Sequence, residues 1–447
     1  MYSIPKKLSR VTVTVLAGAI LVSCGGGSSG DTSNSDGGGT IVACSVADEK
    51  QRFLNYMRDN YFWYRDIPTN VNIAAYSDTY ALLDGIRSSQ DRFSFLLTEQ
   101  EYQQRYVNAE FIGFGFGSRV ENQRVFINYV FDDSPAQEAG IRRGDELISI
   151  NGVAVTTLIQ QGSYNSALGP STVGFSVELG WRKPNSETFT ALVSKDFVET
   201  NTVLATDIFT VNDKQVGYFV LNSFINRTGA DLNSAYNQFT GVNELIIDVR
   251  YNGGGLIRYA NQAATQAAGN NVIGNVFTRY IYNDKNTASN QTELFQLYEG
   301  IRQLNLDRVY VLTTAASCSS SELIINALKP FVDVVVIGGR TCGKPVGQSP
   351  RSICDKRTFV VNFETVNADF EGRYFNGIPA TCEVADVLVG DWGDDNDPLL
   401  LAARNHITTG SCQTVGTQQD SDTIQRHTSD DTLPRRATIV EQWRQEF

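Results

Sequence analysis

The segment RVYVLTTAASCSSSELIINALKPFVDVVVIGGRTCGKPVGQ, residues 308–348, contains in order a strand, a serine-rich turn, a helix, a second strand and a glycine–lysine loop. The apolar, β-branched run at residues 309–312 predicts the first strand, and residues 332–337 predict the second. Residues 322–329 place apolar side chains at helical spacing, and Pro330 ends that helix. The segment therefore predicts an α/β unit whose serines lie between a strand end and a helix start.

The serine-rich turn, residues 317–321, stands where the helix begins. Backbone N–H groups in the first turn of a helix lack helical partners, and the helix dipole favours negative charge there. An oxyanion formed during acyl transfer would be stabilised at such a place. Each serine is also a good helix N-cap, so a purely structural role is the alternative for every one of them.

These motifs resemble those of the C-terminal processing peptidases, also called tail-specific proteases, which use a serine nucleophile and a lysine base. The family has a run of small residues and serines followed by Glu and a helix, which residues 317–322 match. It then has a Gly-Lys loop with a Gln four residues on, matched by Gly343, Lys344 and Gln348. The spacing between Ser319 and Lys344 is like the family's own, and coincident features at matched spacing are far more specific than any one alone.

The resemblance implies a role for each matched residue. Ser319 would be the nucleophile, Lys344 the general base, and Gln348 would hydrogen-bond the lysine amine. The sequence departs from the family pattern at Cys318 and Ser320, at Pro345, and in the GGG turn that ends residues 248–255. The oxyanion hole would be formed by backbone amides, namely Ser320 with Gly254 or Gly255.

The lysine assignment also has a chemical basis. A serine hydroxyl needs a base, and the chain has two histidines, His406 and His427, neither of which adjoins a Gly-x-Ser-x-Gly motif. Lysine can replace histidine only when burial lowers its pKa towards the working pH. The neighbours of Lys344, residues 342–347, include no carboxylate that would hold the charged form. We therefore expect a buried lysine whose pKa is lowered towards the working pH; the alternative is a solvated surface charge.

A second set of motifs lies in residues 106–200, where the sequence pattern is that of short strands and turns and no longer that of helices. FIGFGF at residues 111–116 and SPAQEAGIRRGDELISINGV at residues 134–153 resemble a PDZ domain. PDZ domains bind a peptide C-terminus by strand addition, with loop amides holding the terminal carboxylate. The alternative is a small packing module whose groove is filled. The peptide-binding candidates are Ile112, Gly113, Phe114, Gly115 and Phe116.

The resemblance implies an α/β crotonase-like (ClpP/crotonase) catalytic core, a small β-rich PDZ domain and an N-terminal helical segment. A length of 447 residues fits roughly three domains. The expected division is as follows: signal peptide 1–23, flexible tether 24–43, N-terminal helical segment 44–105, PDZ domain 106–200, peptidase core 201–412 and disordered tail 413–447.

The N-terminus predicts export and lipid anchoring. Lys6, Lys7 and Arg10 precede an apolar run, residues 11–22, that is too short to span a bilayer. The sequence Leu-Val-Ser-Cys that ends at Cys24 looks like the lipobox of bacterial lipoproteins. Acylated Cys24 would hold the protein on the periplasmic face of the cell envelope, with the outer membrane favoured. Ordinary secretion is the alternative.

Seven cysteines are present, and Cys24 is assigned to lipidation. An oxidising envelope would allow the other six to form up to three disulfides, with 15 connectivities. We hypothesise that Cys318 pairs with Cys342, because one adjoins the predicted nucleophile and the other lies two residues before the predicted base. The alternative is that both are small buried hydrophobic residues.

The formal net charge of −12 argues against nucleic acid as a partner, since phosphate binding needs a basic face. His and Cys residues form no cluster at metal-ligand spacing, so neither a metal nor another cofactor is expected. The sequence thus predicts an anchored serine endopeptidase that captures proteins with apolar C-termini. The runner-up is a catalytically inactive PDZ scaffold, and a small-ester hydrolase is a third possibility. An adaptor and the oligomeric state are unknown.

Overall fold

The computed structural model describes residues 44–297 and 300–412. The predicted signal peptide, Cys24, the tether and the tail with His427 lie outside the described residues, so these predictions remain predictions. All described residues belong to one compact unit of the chain.

The N-terminal segment begins with a helix, α1 (Val46–Asn60), that Ser45 caps by accepting a hydrogen bond from Asp48 N–H at 3.2 Å. The apolar spacing of Phe53, Leu54, Met57 and Tyr61 predicts one amphipathic helix over residues 48–64. Its end is wrong, because Tyr61 is extended and the aromatic cluster 61–64 lies beyond the helix. The remaining elements of this segment follow in chain order: α2 (Thr79–Ile86), β1 (Phe95–Thr98) and α3 (Glu99–Tyr102).

Residues 110–199 form the β-rich domain, in the region predicted to be a PDZ domain. Its main sheet has the strand order β3-β4-β5-β7-β8, so β3 is an edge strand, and β2 pairs separately with β9. The elements are β2 (Glu110–Gly113), β3 (Phe116–Glu121), β4 (Arg124–Val130), α4 (Pro135–Glu138), β5 (Glu146–Ile150), β6 (Val153–Ala154), α5 (Val155–Gln160), α6 (Tyr164–Ala167), β7 (Ser176–Arg182), β8 (Thr188–Ser194) and β9 (Asp196–Glu199).

The rest of the described chain is an α/β body. Its first half comprises β10 (Val203–Val211), β11 (Lys214–Leu221), α7 (Thr228–Gln238), β12 (Glu244–Asp248), α8 (Ile257–Ala268), β13 (Val276–Tyr282) and β14 (Gln291–Leu294). Its second half comprises β15 (Arg308–Thr313), α9 (Ser320–Leu328), β16 (Asp333–Gly338), β17 (Val346–Gln348), β18 (Arg351–Ile353), β19 (Lys356–Phe359), β20 (Val361–Val366), β21 (Cys382–Glu383) and α10 (Pro398–Thr409). The strands predicted at residues 309–312 and 332–337 are β15 and β16, and the helix between them is α9.

The central sheet has the order β10-β11-β12-β15-β16-β21 and is parallel from β11 onward. Val309 and Val311 of β15 pack with α7, α8 and α9 on one face, whereas Tyr310 and Leu312 pack with α10 on the other. Successive side chains of a strand point to opposite faces, so helices on both faces bury residues 309–313 of β15.

Two smaller sheets connect the N-terminal segment to the body. The apolar run TFVVNFET, residues 358–365, predicts one strand. It contributes instead to two strands: β19 pairs with β1, and β20 pairs with β13 and β17. Val360 separates them, and its side chain is buried in a cluster with Phe53 and Leu54 of α1. The two halves of the run thus pair with different parts of the chain, β19 with the N-terminal segment and β20 with strands of the body, which a single-strand pattern does not show.

Three disulfides join the cysteines of the described residues: Cys44–Cys354, Cys318–Cys342 and Cys382–Cys412. The hypothesised Cys318–Cys342 pair is therefore confirmed. Among the described helices, none has both the length and the apolar character needed to cross a membrane.

The pairing is open to a direct test. A peptide map of the non-reduced protein is expected to recover a cross-linked peptide containing Cys318 and Cys342, which separates into two after treatment with a dithiol. Recovery of both cysteines as alkylatable thiols without reduction would contradict this pairing.

Candidate active site

The serine-rich turn is tied to the glycine turn that follows β12. The hydroxyl of Ser317 donates to Val249 O at 2.8 Å, that of Ser320 to Gly255 O at 2.8 Å and that of Ser321 to Asn252 O at 2.9 Å. These three serines are fully buried. Ser319 is the one member of residues 317–321 whose polar side chain stays partly exposed. Three serines therefore fix the turn, and Ser319 is left accessible to a substrate.

Ser319 has an unusual backbone conformation, with φ +57° and ψ −113°. Non-glycine residues at positive φ are rare, and such strain persists only where surrounding contacts enforce it. Here the N–H of Ser319 donates to Glu322 Oε2 at 2.9 Å, and the neighbouring serines hold both sides of the turn. This conformation places Ser319 at the start of α9.

The glycine turn approaches Ser319 closely. A Cβ added to Gly254 would lie 2.7 Å from the Cβ of Ser319 and 3.1 Å from the N of Ser320, so only glycine fits there. The N–H of Gly254 already donates to Asn252 Oδ1 at 2.8 Å. Of the predicted oxyanion donors, Gly254 is therefore occupied by an internal bond, whereas the N–H groups of Gly255 and Ser320 donate to no other described residue.

Lys344 lies in the loop between β16 and β17 and is only 7% exposed. Burial lowers the pKa of Lys344 from 10.5 to about 8, although the charges of Asp91 and Glu322 act in the opposite direction. The sequence neighbours of Lys344 include no carboxylate, but the fold brings two buried acids, Asp91 and Glu322, close enough to act on its charge. Desolvation still outweighs both charges, so the prediction of a lowered pKa is confirmed.

Glu322 connects the turn that carries Ser319 to the loop that carries Lys344. Besides the Ser319 N–H, its carboxylate accepts the N–H of Gly343 at 2.8 Å and that of Lys344 at 2.8 Å. Burial raises the pKa of this carboxyl, whereas the donated hydrogen bonds favour its ionised form. Sequence reasoning noted Glu322 only as part of the motif and missed this bridging position.

The N-terminal segment supports the lysine loop from the other side. Arg92 donates to Cys342 O at 2.7 Å and to Phe375 O at 2.8 Å. Gln348, predicted to bond the lysine amine, instead donates to Phe93 O at 2.9 Å and makes no hydrogen bond with Lys344. The approach of Phe93 to the end of β17 explains this difference.

Ser319, Lys344 and Gln348 line one cavity of about 400 Å³, together with Gly254 and Gly255. Ser320 is buried behind it and is not in the lining. The Ser319 hydroxyl and the Lys344 amine make no hydrogen bond to each other; catalytic hydrogen bonds often form only once a substrate is bound. Much of the wall is aromatic: Phe95, Tyr102, Tyr106, Tyr280, Tyr282, Phe359 and Phe363.

A second cavity, of about 450 Å³, lies along the β-rich domain. Of the predicted peptide-binding residues, Gly113, Phe114, Gly115 and Phe116 line it, and Ile112 does not. Ile112 lies in β2 between Phe111 and Gly113, which do line the groove, and successive side chains of a strand point to opposite faces. The two cavities share three lining residues, namely Arg105, Ser223 and Ile225, so the groove adjoins the site of Ser319.

His406 is excluded as a base for Ser319. It lies on α10, on the opposite face of the central sheet from α9, and its Nδ1 is 3.1 Å from the Tyr310 hydroxyl. Within residues 44–297 and 300–412, two groups with close potential metal ligands occur, Cys382/His406/Cys412 and Cys318/Glu322/Cys342. In each group the two cysteines are joined in a disulfide and offer no thiolate to a metal.

Three family descriptions match the chain. Residues 48–95 match the Peptidase S41 N-terminal domain, residues 126–166 match a PDZ domain and residues 215–384 match Peptidase family S41. The last match contains the serine turn, the glycine turn and the lysine loop.

Curated relatives and a solved structure agree with these matches. A "Probable CtpA-like serine protease" of Staphylococcus epidermidis is 25% identical over 283 residues, which cover 62% of this chain and 54% of that protein. A "Carboxyl-terminal-processing protease" of Picosynechococcus sp. is 26% identical over 283 residues, covering 62% of this chain and 63% of that protein. A crystal structure of a "Putative S41 protease from Bacteroides fragilis NCTC 9343" has a TM-score of 0.65 and 26% identity, covering 80% of this chain and 97% of that one. The chain thus spans between half and two thirds of the length of these two curated relatives.

Proposed function

Because the chain belongs to peptidase family S41 and carries a PDZ domain, we propose that it is a serine endopeptidase that captures C-terminal tails of proteins and cleaves them with Ser319 and Lys344. The observation that carries this proposal is the buried amine of Lys344, whose pKa is lowered to about 8, in the same cavity as the accessible Ser319. An amine with such a pKa is neutral in a useful fraction of molecules near neutral pH.

In the proposed reaction, neutral Lys344 takes the proton of the Ser319 hydroxyl as its oxygen attacks the scissile carbonyl carbon. The N–H groups of Ser320 and Gly255 stabilise the oxyanion, and one such donor is worth on the order of a hundredfold in rate. Lys344 then donates its proton to the leaving amine, and the acyl-enzyme forms. In the second half, Lys344 deprotonates the water that attacks the ester, and Ser319 is regenerated.

Gln348 and Glu322 have positioning roles in this scheme. The amide of Gln348 is held by Phe93 O, which leaves its Oε1 as an acceptor for the lysine amine once a substrate tightens the site. Glu322 sets the distance between the nucleophile turn and the lysine loop through three backbone N–H groups.

We also assign the body to the crotonase-like (ClpP/crotonase) fold class. The support is its largely parallel sheet with helices on both faces, and the position of Ser319 and the glycine turn at the ends of neighbouring parallel strands. Ligand sites in such sheets commonly lie at the carboxyl ends of the strands.

The substrates we propose are proteins with apolar C-termini. The groove of the PDZ domain is lined by Phe111, Phe114, Phe116 and Leu168, which suit apolar side chains, and it adjoins the catalytic cavity. A tail bound there would extend towards Ser319 without leaving the surface.

We further propose that acylated Cys24 anchors the protein to the periplasmic face of the cell envelope, with the outer membrane favoured. The sequence before residue 25 supports this, and the three disulfides suit an oxidising compartment. Metabolic labelling with a fatty-acid analogue is expected to tag the wild type and not a Cys24→Ala variant.

The proposed function is tested with an unstructured protein in two forms, one ending in apolar residues and one ending in aspartates. The apolar form is expected to be cleaved several times faster. Binding of the apolar form without any cleavage would favour the inactive scaffold instead.

Glu322→Gln is expected to lower kcat/KM roughly 10- to 100-fold. The carboxylate accepts hydrogen bonds from three backbone N–H groups, and the NH₂ group of the new amide cannot accept them. The pH midpoint of the rate should also move to lower pH, since the charge of Glu322 raises the pKa of Lys344 and the variant lacks this charge. The pH profile of peptide hydrolysis measures both effects.

Glu371→Gln, an exposed acid outside the cavity, is the matched control and should leave the rate and the midpoint unchanged. A Glu322→Gln enzyme with the wild-type rate and midpoint would show that this carboxylate does not couple the two segments.

A further inference from the structure

Lys195, between β8 and β9, is a buried cation in the groove of the PDZ domain. It is 5% exposed, and it lines the groove cavity. Its Nζ donates to Gly169 O at 2.9 Å and to Pro170 O at 3.1 Å, and it lies 5.0 Å from the centre of the Phe114 ring. Among residues 44–297 and 300–412, no carboxylate forms an ion pair with it.

This arrangement leaves Lys195 without a counter-charge. An ammonium group has three N–H donors, and two are used by the carbonyls. Burial alone lowers the pKa of Lys195, with no acidic group acting against it. The two acids that line the same cavity are engaged elsewhere: Glu101 accepts from Thr98, and Glu110 from Asn108. A buried ammonium is costly unless an anion joins it, so the groove favours an anionic ligand.

Backbone amides next to Lys195 point to the same kind of ligand. The carbonyl of Phe114 accepts from Ala136 N–H and that of Gly115 from Phe131 N–H, both at 2.8 Å. In a trans peptide the C=O and the N–H of the same peptide unit point in opposite directions. The N–H of Gly115 therefore points away from Ala136, and the N–H of Phe116 points away from Phe131. Both residues line the groove, and β3 is an edge strand whose outer side is open for pairing.

We propose that Lys195 is the counter-charge for the C-terminal carboxylate of a captured tail, which the N–H groups of Gly115 and Phe116 also hold. This inference rests on the proposed peptide capture and adds a residue that selects for a free chain end. An internal segment, or a tail whose end is amidated, lacks the anion and would leave the ammonium unpaired.

The test uses the full-length protein with Ser319→Ala, so that peptides are bound and not cleaved. Fluorescent peptides with an apolar C-terminus are prepared as the free acid and as the C-terminal amide, and fluorescence anisotropy gives Kd for each. The free acid is expected to bind at least about tenfold more tightly than the amide, because a hydrogen bond to a charged group is involved.

Adding Lys195→Met should reduce this acid-to-amide ratio to less than about threefold, with the amide bound as before. Lys195→Arg, which keeps the charge, should retain most of the ratio. Lys183→Met is the matched control, since Lys183 pairs with Asp145 outside the groove, and it should keep the ratio.

An unchanged ratio in Lys195→Met would overturn the inference, and so would an equal loss of both peptides, which would show that Lys195 only holds the turn at residues 169–170. If the free-acid and amide peptides bind equally well to the protein that retains Lys195, the inference is contradicted, whereas the proposed peptide capture still stands. Failure of both peptides to bind removes peptide capture together with it.

Discussion

Replacing Ser319 with alanine is expected to lower kcat/KM for peptide hydrolysis by on the order of 10⁴-fold or more. The variant lacks the oxygen that forms the acyl-enzyme, and no neighbouring hydroxyl can replace it. Ser317, Ser320 and Ser321 are buried and bonded to carbonyls of the glycine turn or the strand before it. The assay follows cleavage of an unstructured protein with an apolar C-terminus.

Binding of the same substrate should survive in this variant, because the groove of the PDZ domain does not include Ser319. Ser234→Ala, on the exposed side of α7, is the matched control and should cleave at the wild-type rate. Degradation by Ser319→Ala at a rate near that of the wild type would remove Ser319 as nucleophile.

Lys344→Met is expected to lower kcat by on the order of 10³-fold, because methionine fills similar space and cannot take a proton. In the wild type, kcat/KM should rise about tenfold per pH unit below the pKa and level off above it, since only the neutral amine accepts the serine proton. The midpoint should lie near the lowered pKa of Lys344, about 8. The remaining activity of the variant should lack this rise.

The same substitution should stabilise the fold at neutral pH. The folded protein binds the Lys344 proton with a pKa of about 8 and the unfolded chain with one of 10.5, so the free energy of unfolding rises with pH between these values. Below pH 8 the charged lysine costs on the order of 3 kcal/mol. Lys344→Met should therefore be more stable than the wild type at pH 7, and this advantage should shrink as the pH passes 8.

Urea unfolding at pH 7 and pH 10 measures this stability, and it also shows that lost activity is not lost folding. Lys285→Met, which removes an exposed lysine outside the cavity, is the control for removing a lysine. A Lys344→Met variant that cleaves with the wild-type pH profile would contradict a lysine base.

The local order of strand, serine turn, helix and lysine loop is predictable from the sequence because apolar periodicity and short motifs encode it. The positions of β15, α9 and β16 depend on neighbours within a few residues. The division of residues 358–365 into β19 and β20 is not predictable in this way, because it depends on pairing with strands that are distant in sequence.

The same distinction holds at the site. Ser319, Lys344 and the glycine turn follow from motifs at matched spacing. The acids that raise the pKa of Lys344 do not follow from motifs. Asp91 lies far away in sequence, and Glu322 comes near the lysine only when the serine turn and the lysine loop fold together. Gln348 shows the limit of a matched motif: its position in the cavity was predictable, and its bond to Phe93 O depends on how the N-terminal segment packs.

The central claim is that deprotonated Lys344 activates Ser319. It is tested most directly by the rate at which a fluorophosphonate labels Ser319, measured from pH 6 to pH 10 and located by peptide mapping. The account predicts a single labelled peptide containing Ser319, a rate that rises to a plateau with a midpoint near pH 8, and almost no labelling in Lys344→Met. Labelling of another serine, or a rate in Lys344→Met equal to that of the wild type, would contradict it.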